Sequence, residues 1–137
     1  MRVVGIDGKY HEWHFEKYNK IKKKNSKLHV RARLLLRYLF PFDMIYEEVP
    51  LIGSRLNSKL NLLRADFYIH TERLLIEVHG LQHYKQIKRF HKTKVAYIRS
   101  QFYDQDKLAW CRLNNISLII FPYNENNTEW ENRIRNK

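Results

Sequence analysis

The chain holds one cysteine in 137 residues, Cys111, so an internal disulfide and a Cys-based zinc site are both excluded. His11 and His14 stand at i, i+3 spacing, but no second pair of ligands completes a tetrahedral site with them. No apolar run approaches the ~20 residues that span a bilayer, and no signal-peptide core follows Met1. A reducing, aqueous compartment is the simplest expectation. Gly5 to Gly8 (GIDG) lacks the strand–turn–helix context of a phosphate loop, which removes ATP chemistry. No internal repeat and no linker divides the sequence.

What is present is enough apolar material for a core. The hydrophobic fraction is 44% and the aromatic fraction 14%, which fits one compact domain and excludes a wholly disordered chain. The net charge is +12 and its distribution is uneven. Residues 1 to 33 carry ten Lys/Arg, among them Lys22, Lys23, Lys24, Lys27, Arg31 and Arg33, against only Asp7, Glu12 and Glu16. Residues 84 to 100 carry Lys85, Lys88, Arg89, Lys92, Lys94 and Arg99 with no acid. Basic segments of this kind neutralise phosphates and give salt-dependent, sequence-independent affinity. Neither is an amphipathic helix with an apolar face, so a membrane is the weaker partner.

Residues 1–25 read as a basic, aromatic N-terminal extension, and residues 26–137 as the domain. In the extension, Val3 to Lys9 has turn or hairpin signals, and Tyr10, Trp13, Phe15 and Tyr18 interleave with charge. Those rings suit stacking on bases or sugars, or equally the pinning of the extension to the core. Ser26 caps a helix to about Leu39, with Leu28, Ala32, Leu35, Leu36 and Leu39 as its buried stripe. His29 and Arg33 lie on the adjacent row, at the side of a cleft. Ile45 to Ile52 reads as a strand, with Glu47 and Glu48 near its middle and Pro50 arguing for an edge or a bulge. Two hairpin strands follow, over 62–69 and 74–79. A helix spans about 94–113, Ile116 to Phe121 reads as a strand buried on both faces, and Thr128 caps a short last helix. The order α-β-β-β-α-β-α predicts an α/β fold, a mixed sheet flanked by helices.

The chemistry concentrates in the hairpin. Asp66 and Glu77 each lie four residues from the polar tetrad His70-Thr71-Glu72-Arg73, on opposite sides of it. Antiparallel pairing across that turn lets the two acids face each other. Converging carboxylates repel unless a cation lies between them. Mg²⁺ is the natural choice, because it takes oxygen ligands and keeps waters that can be activated. The plainer alternative for Asp66 is a strand-end acid paired with Arg64 or a lysine.

Arg64-Ala65-Asp66-Phe67, followed by Ile76-Glu77-Val78-His79-Gly80-Leu81-Gln82-His83, resembles the restriction-endonuclease-like PD-(D/E)XK nucleases. Within them it is most similar to the very-short-patch-repair-like branch and related small phage and bacterial endonucleases. Asp104-Gln105-Asp106-Lys107 and Asn114-Asn115-Ile116 through Pro122-Tyr123 fit the later part of that pattern, so the resemblance covers about residues 26–123 in order. It implies a restriction-endonuclease-like core (α-β-β-β-α-β) and a metal-dependent hydrolase of phosphodiesters. Asp66 would be the central metal ligand, Glu77 the acid of the E-x-K position, and the Val78 carbonyl a further ligand. Mg²⁺ would be the cofactor, with Mn²⁺ able to substitute. His79 stands where the broader family has lysine and the branch has aspartate. The glutamate that relatives carry near the start of the first helix is replaced here by His29 and Arg31, which leaves Glu47 or Glu48 as the source of any second-metal carboxylate.

Phosphodiester hydrolysis needs a cation on the nonbridging oxygen, an activated water and a proton for the leaving oxygen. His79 or His83 can act as base, acid or charge stabiliser, since imidazole titrates near neutrality. Gly80 permits a turn that brings Gln82 and His83 to the metal. The expected function is therefore a Mg²⁺-dependent DNA endonuclease acting on double-stranded DNA, of the kind found as phage homing enzymes. It would work in the cytoplasm, the host's if phage-encoded, and a homodimer would let it cut both strands. A structure- or mismatch-specific nuclease is the alternative enzyme, and a noncatalytic DNA-binding module on a nuclease fold the alternative class.

Overall fold

The computed structural model describes residues 1–21, 25–56, 61–84 and 93–137. Strands β1 (Arg2–Val4) and β2 (Tyr10–Glu12) form a small antiparallel hairpin, followed by a 3-10 turn over Phe15–Tyr18. Then come α1 (Lys27–Leu39), β3 (Tyr46–Pro50), β4 (Arg64–Ile69), β5 (Leu74–His79), a 3-10 turn over Leu81–His83, α2 (Lys94–Leu113), β6 (Ser117–Pro122) and α3 (Asn127–Arg135). The α-β-β-β-α-β-α order expected beyond the extension is therefore present. Strands β3 to β6 make one sheet in the order β3-β4-β5-β6, antiparallel at the first two junctions and parallel between β5 and β6. Helix α2 is the crossover that a parallel pair requires.

Local signals explain the ends of these elements. The Ser26 hydroxyl accepts from the His29 N–H, and Thr93 caps α2 by accepting from Ala96 N–H. Helix α3 starts two residues earlier than expected. Its cap is Asn126, whose side chain accepts from Glu129 N–H, rather than Thr128. Asn outranks Thr as a cap because its carbonyl reaches the free amides without a β-branch. Pro50 lies on β3, an outer strand of the sheet, where its missing N–H costs least.

Two apolar clusters cover the two faces of the sheet. On one, Ala32, Leu35 and Leu36 of α1 and Trp130 and Ile134 of α3 pack on Phe67, Ile69, Leu74, Ile76 and Phe121. On the other, Trp110 and Cys111 of α2 meet Tyr68, Leu75, Val49 and Leu51, together with Val3, Trp13 and Phe15 from the N-terminal segment. Residues 1–18 are thus one wall of the core and not an appendage to it. Trp13 and Phe15 are 2% and 3% exposed, so they are packing groups and are not open to bases. Asn114, the C-cap of α2, holds β1 by donating to the Val4 carbonyl and accepting from the Val4 N–H. Gly53, at φ +76°, lies so close to Gly5 that an added Cβ would stand 2.7 Å from the Gly5 Cα. All three tryptophans donate their indole N–H to a backbone carbonyl: Trp13 to Pro50, Trp110 to Ile52 and Trp130 to Pro122.

One strand expectation is corrected. Ile116 to Phe121 reads as doubly buried, yet β6 is the other outer strand and Leu118, Ile119 and Ile120 are only half-buried. An apolar run does not distinguish a central strand from an outer one whose side chains are covered by a helix. Among the described residues, no helix is long and apolar enough to cross a membrane.

Candidate metal and proton-transfer site

The site forms where the β4–β5 ladder ends. The two strands pair Ile69 with Leu74, Tyr68 with Leu75 and Phe67 with Ile76. One step further along that register, Asp66 stands opposite Glu77. The β3–β4 ladder is also interrupted there, since Glu47 pairs with Phe67 and Val49 with Ala65 while Glu48, at φ 49°, is skipped. Ala65 and Phe67 consequently face opposite clusters although they are two residues apart. This kink releases Asp66 from a regular pleat, and its Oδ2 accepts from the Val78 N–H at 2.7 Å. The carbonyl of a strand residue points to the same edge as its N–H, so the Val78 carbonyl is directed toward Asp66 as well.

Strand alternation sends Leu75, Glu77 and His79 to the α2 side of the sheet. Asp104, Lys107 and Cys111, at i, i+3 and i+7, form the facing row of that helix. The Lys107 ammonium lies 2.5 Å from Glu77 Oε1, with side-chain exposures of 16% and 5%. Burial and the neighbouring Asp66 charge push the Glu77 carboxyl well above the ordinary range, and Lys107 opposes them only in part. Burial works against the charge on Lys107, but Glu77, Asp66 and Asp104 together raise its pKa. Among the described residues, Asp66 and Glu77, with Asp104 beside them, thus share the Lys107 ammonium. The donors are all oxygen and the balance is acidic, a combination that suits a divalent cation taking hard ligands. Asp66, Glu77 and the Val78 carbonyl are the groups that would hold it.

The turn after Gly80 places His83 against His79. His83 N–H donates to the Gly80 carbonyl at 3.1 Å, and the two imidazoles stack 3.9 Å apart at an interplanar angle of 7°. His83 Nδ1 lies 3.1 Å from Asp104 Oδ2. Burial raises the Asp104 carboxyl, but the His83 hydrogen bond and the surrounding positive charge hold it below its usual value. An ionised Asp104 only accepts, so His83 Nδ1 carries the proton and Nε2 is left as the basic ring nitrogen. Burial and the adjacent His83 lower His79 to about 4, which leaves it neutral. The ligand atoms of His79, His83 and Asp104 lie within 4.8 Å of one another. Stacked rings nevertheless make a poor chelate, because an ion in the plane of one lies well out of the plane of the other.

Several expected site residues are employed elsewhere. Glu47 does not replace the missing helix carboxylate. Its oxygens accept from Arg33 Nε and Nη2, both at 2.8 Å, and from His29 Nε2 at 2.7 Å. Those bonds outweigh burial and lower its pKa to about 2. Arg33 is therefore a buried partner of Glu47 and not a phosphate contact. His29 stacks on Phe67 with its Nδ1 4.0 Å from Asp66 Oδ1, which makes it a neighbour of the site and not one of its acids. Arg31 is likewise structural: its guanidinium lies 3.6 Å over the Trp130 ring and donates to Asn127 Oδ1 and the Glu125 carbonyl. A helical pattern marks a residue's face but not which carboxylate or ring awaits it there. Lys27 is exposed at the start of α1. Glu48 lies on β3 beside the kink. Lys22, Lys23, Lys24, Lys85, Lys88, Arg89 and Lys92 lie outside the described residues, as does the Gln82 side chain, although Gln82 belongs to the turn beside His83. The residue that sequence reading missed is Lys107, along with the pairing of Asp104 to His83. Their i, i+3 spacing on α2 was the available signal.

The fold is mixed α/β, with a four-stranded mixed sheet and three helices. No family model matches the chain. No solved structure matches it either. It is 40% identical over 72 residues to the uncharacterized protein 307L of Invertebrate iridescent virus 6, and 36% identical over 63 residues to the uncharacterized protein 033L of Invertebrate iridescent virus 3. Those matches take in 53% and 46% of this chain but 36% and 32% of the relatives, so the chain spans about a third of the length of the curated relatives it matches.

Proposed function

We propose that the protein is a Mg²⁺-dependent DNA endonuclease with a restriction-endonuclease-like core. The observation that carries this reading is the opposition of Asp66 and Glu77 at the ladder's end, beside the buried Lys107 ammonium. It is supported by the α-β-β-β-α-β succession from α1 to β6, the succession that the resemblance implies. Bound Mg²⁺ would polarise the phosphoryl oxygen and lower the pKa of the attacking water. The chain's own groups do the rest. Asp66, held by the Val78 N–H, and Glu77 would hold the ion. Lys107 brings positive charge to the place that His79 cannot serve, compensating from α2 for the lysine missing from β5. His83, its tautomer set by Asp104, takes or gives a proton at Nε2. His79, neutral and stacked, fixes the plane of that ring.

The test is supercoiled plasmid with Mg²⁺ or Mn²⁺, cut by wild-type protein and by Asp66→Ala and Glu77→Ala. Metal-dependent nicking that both substitutions abolish supports the reading, and equal nicking by all three proteins removes it. Cuts at one sequence favour a homing-type enzyme, and cuts confined to branched or mismatched duplex favour the structure-specific one. A second reading, a noncatalytic DNA-binding module, is favoured by one observation: Lys107 already forms an ion pair with Glu77 Oε1. Retained DNA binding with no nicking in either metal selects it.

A further inference from the structure

A groove of about 490 Å³ opens beside Lys107, lined by Arg55, Asn61, Leu62, Leu63, Arg64, Tyr103 and Lys107. Its three cations come from three separate places: the segment after β3, the first residue of β4, and the α2 row that faces Glu77. No acid is among the described lining residues. Both arginines are held by backbone carbonyls. Arg55 Nη1 donates to the Asn61 carbonyl at 3.3 Å and its guanidinium sits 4.6 Å over the Tyr103 ring. Arg64 Nη1 donates to the Glu48 carbonyl at 3.2 Å. A guanidinium has five N–H donors in a fixed fork. Each therefore keeps most of its donors for a ligand, and a carbonyl anchor orients the fork without cancelling its charge. Contact with Tyr103 further reduces the freedom Arg55 has to lose on binding.

The floor of the groove is continuous with the acid pair, because Lys107 both lines it and contacts Glu77. Asp66 follows Arg64 by two residues on the same strand, across the kink. A concave channel whose described lining is cationic and carries two oriented forks, ending at converging carboxylates, matches a chain of phosphodiesters and not an isolated anion. We infer that this groove is the track for the nucleic-acid backbone, with Arg55 and Arg64 each taking a phosphate next to the one presented to Asp66 and Glu77. This deepens the nuclease reading and rests on it for the identity of the polyanion. It also transfers the backbone contact away from Arg31 and Arg33, which the fold uses internally.

The experiment measures binding without cleavage. A fluorescein-labelled duplex is titrated with the full chain in EDTA at several salt concentrations, using wild type, Arg55→Gln, Arg64→Gln, the double variant and Arg31→Gln. Each groove substitution should weaken binding roughly tenfold, as expected for one charge-assisted hydrogen-bonded contact. Each should also lower the slope of log K against log salt by about 1. Arg31→Gln should leave the slope unchanged. A double variant that binds with the wild-type slope overturns the proposal, even if its affinity falls, because a folding loss weakens binding without removing a phosphate contact. Repeating the titration in an Asp66→Ala background separates the two readings. If Asp66→Ala still nicks plasmid while the arginine variants lose slope, the metal site fails and the groove stands. If Asp66→Ala abolishes nicking while the arginine variants keep their slope, the groove fails and the metal site stands.

Discussion

Two buried glutamates on strands of one sheet, separated by β4, meet opposite electrostatic fates. Glu47 on β3 and Glu77 on β5 are both nearly inaccessible, and each faces a cation carried by a helix. Glu47 accepts from both arms of one guanidinium and from an imidazole, and its pKa falls to about 2. Among the described residues, Glu77 meets the Lys107 ammonium and a second carboxylate, and its pKa rises. Burial is therefore not what distinguishes a structural acid from a candidate reactive one. The number and sign of the charged neighbours decide, because desolvation is costly for both and only one is compensated. Glu47 ties α1 to the sheet. Glu77 is left demanding more positive charge, which is what a metal ion supplies.

Replacing either acid of the unbalanced pair, by Asp66→Ala or Glu77→Ala, should lower metal-dependent nicking by at least ~10³-fold, the loss of several kcal/mol of transition-state stabilisation. Glu47→Ala should act on folding instead. Urea denaturation should show a loss of about 3–5 kcal/mol, since Arg33 is left buried without its partner. If Glu77→Ala proved the more destabilising of the two, the roles assigned here would be reversed.

The pH dependence should carry the same distinction. The folded pKa of Glu47 is depressed from 4.5 to about 2. Its stabilisation is therefore complete above the unfolded value and disappears as pH falls through that interval, by about 3 kcal/mol in total. A Glu47→Gln variant should lack that acid transition in melts recorded across it. Glu77 has the opposite sign. Its folded pKa is raised, so its contribution is favourable only at low pH and is lost as pH rises. Glu77→Gln should accordingly raise the neutral-pH Tm by a few degrees, equivalent to about 1 kcal/mol. That advantage should shrink on acidification, and also when Mg²⁺ is added to the wild type alone. An unchanged or lower Tm at neutral pH would show that Lys107 fully balances the acid. The smallest effect belongs to Arg31→Gln. Loss of the Trp130 contact should cost about 1 kcal/mol with no change in DNA affinity.

Much of the fold was readable in advance, for reasons visible in particular residues. The apolar spacing of Ala32, Leu35 and Leu36 gave α1 its buried stripe, with Leu28 and Leu39 at its partly buried margins. Ser26 marked its start, Pro50 marked an outer strand, and the tetrad at 70–73 marked the turn. These are local effects of period, capping and missing donors, and they survive packing. The N-terminal aromatics were not readable in this way. A ring among charges looks the same whether it will stack on a base or, like Trp13, slot between Tyr68 and Trp110 at centroid distances of 4.6 and 4.9 Å. Only long-range packing separates those outcomes.

For the candidate site the division is similar. The opposition of Asp66 and Glu77 followed from the sequence, because a period-2 strand on each side of a four-residue turn leaves little choice of register. The stock of positive charge was equally plain. Which cations remain available was decided by tertiary structure alone. Arg33 goes to Glu47 and Arg31 to Trp130, whereas Lys107, thirty residues beyond Glu77, arrives beside it. A sequence states the charge of each side chain, but the net field at a buried point depends on distances within a few ångströms, and those exist only once helices and sheet have packed.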